Sequence, residues 1–165
     1  MKKVLFLLMA MIVFGFQSVN AQDKPIKVIT NHPDFDVKVK RCAMNGKSLI
    51  IDMVFTNKGD QDVLIDIVAG NWRYWSGLYD DEGNAYKGEN GGMQVKVANN
   101  GAYQGDVGNY RLIQGIPVKV SFLVNNFSET AEEVAFFEGA VFCKEWGLPG
   151  QDKWLTIRNI PITRD

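Results

Sequence analysis

Period-two alternation dominates this chain, and it comes in short runs closed by turn residues. Phe35, Val37 and Val39 alternate with Asp36, Lys38 and Lys40. Leu49, Ile51, Met53 and Phe55 share one face of the run 47–57, and Val118, Val120, Phe122 and Val124 alternate with Lys119, Ser121 and Leu123. Successive side chains of a strand point to opposite faces, so such runs bury one face and wet the other. Asn45-Gly46, Asn57-Lys58-Gly59-Asp60, Asp80-Asp81-Glu82-Gly83-Asn84 and Pro149-Gly150 punctuate them with residues that tolerate turn geometry. Further strands are expected over 63–69, 73–79, 85–87, 93–97, 134–143 and 154–162, with Gly/Asn-rich loops at 88–92 and 98–108. No stretch carries a 3.6-residue amphipathic period. The connections are too short for crossover helices, so the strands are expected to be antiparallel. The pattern predicts an all-β sandwich of two sheets.

The first 21 residues read as an address. Lys2 and Lys3 precede an apolar run, Val4 to Phe16, and the segment ends Val19-Asn20-Ala21. Compact residues one and three places before a cut suit signal peptidase, which predicts cleavage before Gln22. The run is shorter than the roughly 20 residues of a membrane span, and no stable membrane anchor is expected after cleavage. The expected organisation is a signal peptide over 1–21, a flexible lead-in over 22–34 and one sandwich domain over 35–165. The product would be periplasmic or extracellular. Removing Lys2 and Lys3 from 18 basic residues leaves 16 against 19 acidic ones, net −3. No basic stripe remains, so nucleic acid is not an expected partner.

Two cysteines, Cys42 and Cys143, would sit in an oxidising compartment. They read either as a disulfide or as two buried thiols, since pairing needs a proximity that sequence does not supply. No nucleophile–base pair stands out. The only histidine, His32, lies in the lead-in and reads as a surface residue. One histidine and two distant cysteines do not make a zinc set. The acidic run 80–84 is short, lacks the bidentate glutamate of a calcium loop and reads as a turn. No catalytic residues, metal or cofactor are therefore expected.

The chemistry-bearing feature is aromatic. Trp72, Tyr74, Trp75 and Tyr79 crowd into eight residues beside Asn71 and Arg73, and Tyr103 falls in the following loop-rich region. Trp and Tyr combine apolar area with a polar tip, so exposed rings suit stacking on a sugar or anchoring a protein partner. Alternation would send some of these rings inward, where they would fill the core.

Val37 to Asn57, Leu78 to Tyr86, Gly115 to Phe122, Trp146-Gly147-Leu148 and Ile157 to Ile162 resemble the telokin-like, immunoglobulin-like exported bacterial domains. The resemblance spans nearly the whole chain after residue 21. It implies an antiparallel two-sheet immunoglobulin-like β-sandwich and carries no catalytic motif. The expected role is a non-enzymatic binding or accessory module whose ligand, protein or glycan, is unknown. A carbohydrate-binding module using exposed aromatics is one alternative. A structural envelope protein pairing through a strand edge is the other.

Overall fold

The computed structural model describes residues 24–70, 74–98, 101–146 and 155–164. The expected signal peptide and the turn around Pro149-Gly150 lie outside the described residues, as do Asn71, Trp72, Arg73 and Trp154.

Among the described residues, eleven strands build two antiparallel sheets: β1 (Lys27–Thr30), β2 (Phe35–Asn45), β3 (Ser48–Asn57), β4 (Val63–Val68), β5 (Gly77–Asp80), β6 (Ala85–Lys87), β7 (Met93–Val97), β8 (Asp106–Leu112), β9 (Val118–Val124), β10 (Glu133–Cys143) and β11 (Leu155–Pro161). The smaller sheet runs β2-β3-β9-β7, and the larger runs β1-β11-β10-β4-β8. With β2, β3, β7 and β9 as strands A, B, D and E, and β4, β10 and β11 as C, F and G, these are the ABED and CFG sheets of an immunoglobulin sandwich. β1 and β8 extend the larger sheet.

The alternating runs supply the core. Leu49, Ile51, Met53 and Phe55 of β3 are fully buried, as are Val120, Phe122 and Val124 of β9 and Phe137 and Val141 of β10. Phe122 meets Phe137 edge-on at 5.1 Å, joining the two sheets across the middle. Each such side chain contributes about 1.5–3 kcal/mol of burial free energy. Asn45 ends β2 and Ser48 opens β3. The expected Asn45-Gly46 turn is thus centred one residue later, with Gly46 at φ 60.

Three expectations are corrected. The lead-in is not a loose segment throughout, because Lys27–Thr30 pairs with Arg158–Leu155 of β11 and forms the sheet edge. β8 falls across the end of the expected loop 98–108. Its Gly108-Asn109 pair hides a strand in which Asn109 takes φ 53, opposite a register shift in β4. The disulfide reading is also corrected, since Cys42 and Cys143 are both free and buried. They sit at opposite ends of the sandwich. Trp146, just past Cys143, packs on Phe35 at the start of β2. Cys42 lies seven residues further along β2, about 23 Å at the rise of a strand, well beyond the reach of a disulfide.

Candidate functional site

β10 spans the larger sheet and has different neighbours along its length. Ala140–Cys143 pair with β4, and Val134–Glu138 pair with β5 on the same edge. β4 and β5 therefore form one line broken by an excursion between Val68 and Gly77, of which Ala69, Gly70 and Tyr74 to Ser76 are described. Gly70 and Trp75 bridge across its base. Ser76 fills the break: its hydroxyl donates to the Val68 carbonyl at 2.6 Å and accepts from the Ala140 amide at 2.9 Å. Backbone is so dense here that a Cβ on Gly70 would lie 1.8 Å from the Gly88 carbonyl oxygen. One on Gly88 would lie 1.7 Å from that of Ala69. Gly105 closes the node, its carbonyl accepting from the Ala69 and Gly70 amides. Both Gly-rich loops of the sequence are thus pinned to the base of the excursion.

Beside the node, the outward face of β5, β6, β10 and β11 carries two cross-strand rows. Arg158, Phe136, Tyr79 and Ala85 form one, and Thr156, Glu138, Gly77 and Lys87 form the other. Their strand neighbours Phe137 and Leu78 point into the core, which fixes the outward direction of the rows. Trp75 closes the end beyond Gly77. Trp75, Gly77, Tyr79, Lys87, Phe136 and Glu138 line a small open groove of about 60 Å³ there. Tyr79 is 49% exposed and Trp75 is half-buried. Tyr79 and Phe136 lie 6.4 Å apart with their planes tilted by 48°. The Arg158 guanidinium sits 4.8 Å over the other side of Phe136, holding that ring upright by a cation–π contact.

The structure divides the remaining aromatic candidates. Tyr74 packs on Phe142 at 5.0 Å, four residues past Glu138 on the outward face of β10. Tyr103 is not part of the groove. It lies on the smaller sheet near Ser121, Asp52 and Lys119, where burial pushes its phenol above the ordinary value, with Lys96 6.0 Å from its ring. Asp52 is satisfied there, accepting from the Ser121 hydroxyl at 2.6 Å and pairing with Lys119 at 3.1 Å. Phe136, Lys87 and Glu138 escaped the sequence reading. The signal was available in β10, where Phe136 and Glu138 flank the inward Phe137, but register with β5 is needed to bring them to Tyr79.

Chemistry elsewhere is subdued. Burial pushes the Cys42 thiol up to about 12 and the Cys143 thiol up to about 11, far from the thiolate that nucleophilic attack needs. His32 is not the loose surface residue expected. Its ring stacks flat on Trp146 at 4.6 Å, and its Nδ1 accepts from the Asp34 amide at 3.2 Å. Among the described residues, no group of three or more His, Cys, Asp or Glu side chains could hold a metal ion. Neither the models of known protein families nor the curated proteins contain a match to this chain.

Proposed function

We propose that this protein is an exported, non-enzymatic binding module that takes its ligand on the outward face of β5 and β10. The carrying observation is the groove itself. Trp75, Tyr79 and Phe136 present partly exposed rings in a fixed array, with Lys87 and Glu138 as polar flanks. A few placed polar groups among aromatic walls are what a small recognition site requires. Export rests on the first 21 residues, and the affinity with telokin-like bacterial domains on the matching segments together with the ABED/CFG strand order. Edge pairing has less support. The β2 edge is met between Cys42 and Met44 by Thr163, and the β7 edge is bridged at Val95 by Gln104. β8 is bulged at Asn109, a feature that discourages strand addition.

A benzophenone amino acid in place of Tyr79, irradiated in the producing cell, tests the reading. An adduct at Tyr79 and none at Ile116, which is equally exposed but remote from the groove, is expected. Labelling at both positions alike, or at neither, would count against the groove. N-terminal sequencing of the mature protein is expected to begin at Gln22, and an intact Met1 would refute export by cleavage.

A further inference from the structure

Gly77 lies in the middle of the groove floor, and the fold does not ask for a glycine there. Its φ is not in the left-handed region, and an added Cβ would meet only the Tyr86 carbonyl oxygen at 3.4 Å, ordinary contact. Gly70 and Gly88, nearby, are demanded by backbone packing. Gly77 opens β5 beside the break at Ser76, and a strand glycine that packing does not require leaves room for a ligand to approach the backbone. The surroundings of Gly77 are arranged along two perpendicular directions. On β5 the outward neighbour is Tyr79, and at the other end of the groove Trp75 stands on the bridge to Gly70. Across the strands, the neighbours are Lys87 on β6 and Glu138 on β10.

We infer that the notch above Gly77 seats one sugar ring of an oligosaccharide or polysaccharide, an inference that rests on the groove being the binding site. A pyranose standing over Gly77 turns its C–H faces to the Trp75 and Tyr79 rings. Its rim hydroxyls then point across the strands, donating to the Glu138 carboxylate and accepting from the Lys87 ammonium. Aromatic side chains suit the first contact and charged side chains the second. An extended peptide fits poorly. The backbone of β5 is paired with β6 on one side and β10 on the other, so the strand has no unpaired edge for a peptide to extend.

The test is titration of the mature protein with cellohexaose, mannohexaose, xylohexaose and chitohexaose, read by tryptophan fluorescence and calorimetry. At least one sugar is expected to bind saturably. Gly77→Thr is expected to weaken it at least about tenfold, with an unchanged or higher melting temperature, because the new side chain fills the notch and suits a strand. Tyr79→Ala, which alters a half-exposed ring, is expected to weaken the same sugar as well. Wild-type affinity in both variants would place the seat elsewhere. Silence from all four sugars would overturn the saccharide assignment, and an adduct at Tyr79 in the same strain would then show that the groove binds another class of ligand.

Discussion

Asp80 shows how a single polar side chain can hold the lower end of the site. It is 3% exposed, and its carboxylate accepts from the Glu82 amide at 3.1 Å, the Asn84 amide at 2.8 Å, the Asn84 side chain at 2.9 Å and the Tyr86 hydroxyl at 3.0 Å. Burial alone would raise its pKa. The hydrogen bonds from Asn84, Tyr86 and Glu82 outweigh burial and hold the carboxyl below its usual value. A depressed carboxylate stabilises the fold above the unfolded pKa, about 4, and that contribution is lost as pH falls through the folded value. Asp80→Ala should therefore cost about 2–3 kcal/mol near neutral pH by urea unfolding, and the cost should shrink in acid. An equal loss at pH 7 and pH 3 would contradict this. The run 80–84 was legible as a turn from its Asp, Gly and Asn. That Asp80 also fastens Tyr86, which stacks on Phe127 at 4.6 Å, depends on the β5–β6 register and was not. At the thiols, Cys42 and Cys143 should resist a disulfide-exchange reagent in the native protein and both react once it is unfolded in denaturant. One missing thiol equivalent would contradict the buried, unpaired state.

At the scale of elements, the excursion between β4 and β5 decides where the aromatic cluster goes. The run from Arg73 to Tyr79 reads as one strand because its rings alternate. Among its described residues it is divided: Ser76 closes the break in the sheet, Trp75 belongs to the bridge, and the strand begins at Gly77. Local sequence does not reveal this, because the break is fixed by glycines 18 and 35 residues after Gly70, at Gly88 and Gly105. Most other strands were legible, since β3, β9 and β10 carry uninterrupted alternation or apolar runs. β1 was hidden by its short length and partly exposed pattern, and β8 by Gly108-Asn109. The glycine node gives a direct contrast. Gly88→Ala should destabilise by about 3 kcal/mol or more, because its Cβ has no room against the Ala69 carbonyl. Gly77→Ala should be neutral or stabilising by up to about 1 kcal/mol. Equal melting temperatures for the two variants would remove the distinction between a glycine that packing requires and one that it does not.

For the whole molecule, the sandwich divides its two outer faces. The smaller sheet turns outward a satisfied polar set around Asp52, Ser121 and Lys119, and its edges are met by Thr163 and Gln104. The larger sheet turns outward rings, a side-chain-free notch and two opposite charges. That asymmetry carries the functional reading, and the sequence held only half of it: the aromatic density of residues 72–79 was visible, while the partners from β6 and β10 required the fold. Hydrogen–deuterium exchange of the protein, with and without an extract of the cells that make it, tests this division. Slowed exchange is expected over 75–80, 85–87 and 133–139, with the strands of the smaller sheet unchanged. Protection confined to the smaller sheet, or none at β5 and β10, would contradict it.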